Sequence, residues 1–179
     1  MTHAPHVEHD AVVRLLRREL TPELYAEIRD LWKRHSIAED NRDLPGLLST
    51  LTADCVYELR PTASLAMPSS EASAASPARP PDSLRPRWEG HEGAARFYGE
   101  LLGAFPDIHF DLTDIVVGPQ GVCEEARVTG THERDWLDHP ATGERLTWNV
   151  VIFFPWDPEQ RLFRGEKVYT DLALGNPRV

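Results

Sequence analysis

Two polar side chains stand on segments otherwise built from apolar and β-branched residues, and they mark where chemistry could occur. Asp171 lies near the end of Arg161–Leu172, a stretch in which Lys167, Tyr169 and Asp171 share one parity. A carboxyl held in an apolar pocket has its ionised form disfavoured, which moves it towards the range where it can both take and return a proton. His132 closes the run Gly130-Thr131-His132. The unperturbed pKa of an imidazole suits transfer in either direction, so this side chain could position or protonate a substrate oxygen. Each residue also has a structural role open to it: Asp171 as a strand-end cap or the ion-pair partner of Lys167, His132 as a histidine bonded to the adjoining loop. His132, Asp135, Asp138 and His139 are all metal-ligand types, but metalloenzyme spacing such as His-Glu-x-x-His is absent and no metal is expected.

Aromatic residues supply the second set of candidates. Tyr25, Trp32 and His35 fall on one helical segment, and Tyr57, Trp148 and Tyr169 on strand-like ones. Singly, such residues pack in cores; together they would line a pocket for a small hydrophobic or aromatic, oxygenated ligand. Asp40 and Asn41, near the end of the same helix, are capping residues that could also place a polar group at the mouth. There is no Gly-x-Ser-x-Gly elbow, phosphate-cradling glycine loop or dinucleotide fingerprint, so the expected chemistry uses no cofactor.

The elements that must position these groups follow from pattern. Val122–His132, Arg145–Phe154 and Arg161–Leu172 are rich in Val, Thr, Tyr, Phe and Trp and are separated by turn-like segments, which predicts three long antiparallel strands. Ile108–Val117 and Asp54–Arg60 alternate as two more strands, and Gly118-Pro119-Gln120-Gly121 is a tight turn. Asp10 could cap a helix to about Leu20, and Thr21-Pro22-Glu23 starts a long one to about Asn41 with Leu24, Ile28, Leu31, Trp32, His35 and Ala38 as its apolar stripe. Asp43 caps a short helix containing Leu44, Leu47, Leu48 and Leu51. Another helix, following Gly90 and His91, carries Ala94, Phe97, Tyr98, Leu101, Leu102 and Phe105 and is stopped by Pro106. Helices first and an antiparallel meander last make an α+β pattern.

The 179 residues fit one domain, expected over 10–179, with a mobile tail at 1–9 and a Ser/Ala/Pro-rich loop inserted at about 62–86. A net charge of −10 disfavours nucleic acid and anionic membrane surfaces as partners, and no apolar run reaches the ~18 residues of a membrane-spanning helix, so a cytoplasmic protein is expected. Cys55 and Cys123 lie in strand-like segments and read as packing residues.

Trp88-Glu89-Gly90, the helix ending in Phe105-Pro106-Asp107, Gly130-Thr131-His132, Ala141-Thr142-Gly143 and Tyr169-Thr170-Asp171 together resemble the SnoaL-like polyketide cyclases, or ester cyclases, of the nuclear transport factor 2-like superfamily. The resemblance covers roughly Thr21 to Gly175. It implies a cystatin-like cone in which a strongly curved antiparallel or mixed sheet wraps around helices and encloses a cavity. It also implies acid/base catalysis without a cofactor on a carbonyl compound, by aldol cyclisation or isomerisation, with Asp171 at the position of the family's late acidic residue. A non-catalytic binding module on the same cone is the alternative, because fold does not fix function. Finally, Val150 and Ile152 on one parity and Val151 and Phe153 on the other leave an apolar outer sheet face, which predicts a homodimer formed sheet to sheet.

Overall fold

The computed structural model describes residues 7–61, 86–137, 139–172 and 174. The expected residues of the tail before 7 and of the insertion from 62 to 85 lie outside that set. Four helices and six strands follow in the order α1 (Val7–Leu16), α2 (Pro22–Asp40), α3 (Leu44–Leu48), β1 (Leu51–Pro61), β2 (Arg87–Glu89), α4 (Gly90–Ala104), β3 (His109–Gly118), β4 (Gly121–Thr131), β5 (Arg145–Asp157) and β6 (Leu162–Thr170).

The long helix begins and ends where its capping residues stand. Thr21 Oγ1 accepts from the Leu24 backbone N–H at 3.2 Å, Pro22 fills the first turn at no cost in hydrogen bonds, and Asn41 closes the C-terminus. Asp43 caps α3 in the same way, accepting from Gly46 N–H at 3.0 Å. Three boundaries differ from expectation. α1 starts at Val7, inside the segment read as tail, and ends at Leu16. Leu51 opens β1 instead of closing α3, because its backbone pairs with Phe163 of β6. β2 has no signal in the sequence pattern: three residues around Trp88 are too few for alternation to show, and they become a strand only by pairing with Val56–Glu58.

The strands form one sheet in the order β2-β1-β6-β5-β4-β3. The β1–β6 pair is parallel and all others antiparallel, so the sheet is mixed. Along β5 the inner face carries Trp148, Val150, Ile152 and Phe154, all buried, while Asn149 and Val151 are exposed on the outer face. α2 and α4 cover the concave inner side with Ile28, Leu31, His35, Phe97, Tyr98 and Leu101. Burying each large apolar side chain contributes roughly 1.5–3 kcal/mol, so the helices are held chiefly by this inner layer.

One strand changes face along its length. In β6, Phe163 and Gly165 are buried, and then Glu166, Val168 and Thr170 are buried as well. Two neighbours, Gly165 and Glu166, cannot both point inward in a regular strand; the pairing with β5 shifts between Phe153–Lys167 and Trp156–Phe163, which leaves one extra residue in β6, and Gly165 takes φ +101°, open only to glycine. This bulge decides which acid reaches the interior.

Candidate active site

Because of the bulge, Glu166 enters the interior and Asp171 does not. The Glu166 side chain is 3% exposed and lines a narrow pocket between the sheet and α2 and α4, with a cavity volume of about 30 Å³. Its walls are apolar, with Phe97 from α4, Trp148, Val150 and Ile152 from β5, and Trp136 from the loop after β4. Both hydrogen bonds to Glu166 fall on one oxygen: Tyr98 Oη–H donates to Oε1 at 2.7 Å and His35 Nε2 meets the same atom at 3.0 Å. Oε2 makes none among the described residues. Behind this pair, His35 Nδ1 lies 2.6 Å from Thr50 Oγ1, Thr50 donates to the Leu47 carbonyl, and Tyr57 Oη–H reaches Tyr98 Oη at 3.5 Å. The phenols of Tyr57 and Tyr98 are pushed well above the usual tyrosine range, first by burial and then by the Glu166 charge, so they act as hydrogen donors.

A second carboxyl lines the same pocket. Glu39, in the last turn of α2, is half-buried, and its carboxyl has no hydrogen-bond partner among the described residues. Burial, followed by the charges of Glu166 and Glu124, raises its pKa well above the ordinary glutamate value, which favours the protonated acid. Glu124 is the third inward acid. It accepts from Trp32 Nε1 at 2.7 Å, and burial is the main cause of a pKa pushed up to about 7.

The sequence candidates separate into three groups. Trp148 lines the pocket. His35 and Tyr57 belong to the network behind Glu166, and Trp32 pins α2 to β4 through Glu124. His132 is fully buried behind the wall, stacked on Phe105 at 5.0 Å between ring centroids; its ring nitrogens have no standard hydrogen bond among the described residues. Burial, then His139, lowers its pKa and holds it neutral. Asp171, Tyr169 and Tyr25 lie outside the pocket. Asp171 is exposed and accepts from Asn149 N–H at 2.6 Å and Asn149 Nδ2 at 2.8 Å, tying the segment just after β6 to β5. Lys167 does not pair with it: the ammonium sits 5.9 Å from the centre of the Phe153 ring. Tyr169 accepts from Arg60 Nη1 at 2.8 Å on the outer face, and Tyr25, 40% exposed, lies under the Arg29 guanidinium. Glu39, Glu124 and Glu166 are the residues that sequence reasoning missed; a glycine inside a strand pattern, Gly165, was the available signal for the last of them.

Among the described residues, no group of three or more His, Cys, Asp or Glu side chains is placed to hold a metal ion, and no helix is long and apolar enough to cross a membrane. The model of the SnoaL-like domain matches residues 32–161. No curated protein sequence matches the chain. Among solved structures, the chain is similar to one from Jannaschia sp. CCS1 provisionally assigned as a SnoaL-like polyketide cyclase, at 17% identity and a TM-score of 0.65, covering 90% of this chain and 99% of that one. A provisionally assigned polyketide cyclase from Streptomyces antibioticus aligns at 19% identity and a TM-score of 0.55, over 80% of this chain and 91% of that one. A Mycobacterium tuberculosis protein solved with estradiol-17beta-hemisuccinate aligns at 11% identity and a TM-score of 0.54, over 79% and 92%. At these identities the likeness establishes the nuclear transport factor 2-like fold.

Proposed function

The chain belongs to the SnoaL-like domain family, and from that premise we propose an enzyme that performs acid/base chemistry without a cofactor on a flat, oxygenated carbonyl compound, with Glu166 as base and Glu39 as acid. One observation carries this: in an apolar pocket, Glu166 is anchored through Oε1 and leaves Oε2 unbonded. Oε2 takes a proton from the carbon next to the carbonyl, the C–H electron pair moves into the enolate, and Glu39 donates its hydrogen to the carbonyl oxygen. Returning the proton from Glu166 to another carbon, while the enol O–H hydrogen goes back to Glu39, completes an isomerisation; in an aldol cyclisation the enol carbon attacks a second carbonyl of the same molecule, its O–H hydrogen returns to Glu39, and the new alkoxide takes the proton from Glu166. Two carboxyls whose surroundings set them apart, one bonded to Tyr98 and His35 and one desolvated without a partner, are suited to the two roles. A steroid-bound neighbour of the same fold supports a ring-shaped ligand.

The test needs no knowledge of the natural substrate. Wild-type protein should catalyse deuterium uptake from D₂O at the α-carbons of a flat bicyclic ketone such as 2-tetralone, followed by NMR. Glu166→Gln should slow it by ~10²–10⁴-fold. Unchanged exchange in a folded Glu166→Gln variant would overturn the assignment and leave the binding module. We also propose that two copies associate through the outer sheet face, where Val116, Val151 and Tyr169 are 64%, 38% and 37% exposed.

A further inference from the structure

The buried histidine behind Glu166 is more than packing, and hydrogen counting shows why. Thr50 has a single hydroxyl hydrogen, and it goes to the Leu47 carbonyl at 2.6 Å. The 2.6 Å contact between Thr50 Oγ1 and His35 Nδ1 therefore requires the hydrogen to sit on Nδ1. On the other side of the ring, Nε2 lies 3.0 Å from Glu166 Oε1 and 3.4 Å from Tyr98 Oη. Tyr98 has already given its hydrogen to Glu166 at 2.7 Å, so it offers only lone pairs in that direction. With Glu166 ionised, as a base must be, a bare Nε2 would then face two acceptors in a site where His35 and Glu166 are 0% and 3% exposed, which leaves the repulsion poorly screened.

We propose that His35 carries a hydrogen on each ring nitrogen, Nδ1–H to Thr50 and Nε2–H to Glu166, and acts as the positioning residue that keeps Glu166 a carboxylate inside an apolar pocket. This rests on the assignment of Glu166 as the base. The comparison lies within the same interior: Glu39 and Glu124 are half-buried without a cationic partner among the described residues, and burial drives both towards the protonated form. A base on that side of the balance would already hold a proton. The groups around the pair leave His35 as its one source of positive charge among the described residues: Glu39 from α2, Tyr57 from β1, Tyr98 from α4 and Glu124 from β4 are acids or phenols, while Phe154 and Phe163 present rings to the imidazole at 5.4 and 6.2 Å. Proton transfer then involves one bond at a time: the substrate C–H breaks, Oε2–H forms, and the Nε2 hydrogen stays where it is.

Wild-type protein with ¹⁵N-labelled histidine tests this directly. At neutral pH the His35 ring, assigned by its loss in His35→Phe, should show one-bond N–H coupling on both nitrogens. A ring with one bare nitrogen would overturn the inference. Thr50→Val, a milder change, should weaken the Nδ1–H signal first; an unaltered signal there would also count against it. Infrared difference spectra of His35→Phe against wild type should gain a protonated carboxyl band that disappears in His35→Phe/Glu166→Gln, and the exchange rate should fall about tenfold or more in kcat with KM little changed. Failure of Glu166→Gln to slow exchange would remove the base assignment without touching the two hydrogens on His35, so the two ideas fail separately.

Discussion

Replacing Glu124 with glutamine should stabilise the protein at alkaline pH and leave it nearly unchanged in acid. Glu124 reaches inward from β4, half-buried, and accepts one hydrogen bond, from Trp32 Nε1. Burial is the main cause that raises its pKa from 4.5 to about 7, opposed by the Trp32 bond and reinforced by Glu166. A folded-state value above the unfolded one means that the folded chain holds a proton the unfolded chain has lost. Stability is therefore full below about pH 4.5, declines as pH rises, and has lost this contribution once pH passes about 7. The corresponding ceiling is ~3 kcal/mol, and partial solvent contact brings it to ~2 kcal/mol. Glutamine keeps an acceptor for Trp32 and carries no charge at any pH. Urea unfolding at pH 8.5 should show Glu124→Gln more stable by ~2 kcal/mol, or a Tm higher by about 4–8 °C, with the two proteins converging below about pH 4.5. Equal stability at both pH values, or a gain that persists in acid, would refute the argument that an ionised Glu124 is the cost.

Glu39→Gln should lower the rate of α-proton exchange about tenfold and also change its pH profile. A protonated Glu39 is the active form and its pKa is raised, so wild-type activity should fall as pH climbs through that raised value, while the glutamine variant should lack that alkaline limb. Asp171→Ala should leave exchange unaltered and cost ~1–2 kcal/mol in thermal unfolding, because the two bonds to Asn149 are lost at an exposed site; a large loss of exchange in a folded variant would return Asp171 to the catalytic role. Light scattering at micromolar concentration should give twice the monomer mass, and Val151→Glu, placed on the exposed outer face, should give the monomer.

The sequence makes α2 legible to the residue, because Thr21, Pro22 and Asn41 are local signals that need no tertiary context. The long hairpins read equally well from their alternation, and His35 falls correctly on the buried stripe of α2. The acids do not. Glu124 and Glu125 are adjacent, one inward and one exposed, and nothing in their chemistry distinguishes them before the strand parity is known. Glu39 sits beside Asp40 and Asn41 at a helix end, where polar residues are ordinary, and only the sheet packed opposite makes it a pocket residue. Asp171 and Tyr169 read as inward only on a parity that the bulge at Gly165 reverses. The resemblance to a family pointed to a late acid, Asp171, near the end of the last strand, but could not carry the phase of the pleat that brings Glu166 of that strand into the pocket instead.

That phase has a genetic side. Since side chains alternate with period two, losing or gaining one residue at the Gly165 bulge exchanges the two faces of everything after it. Deletion of a single codon there would present Lys167 and Tyr169 to the cavity and turn Glu166, Val168 and Thr170 outward, with no substitution anywhere. The last strand thus holds two alternative sets of pocket residues in one stretch of gene, and a one-codon slip selects between an acidic floor and a basic, phenolic one. A scaffold with this property can move between unrelated ligands by insertion or deletion, a shorter mutational route than rebuilding each wall in turn.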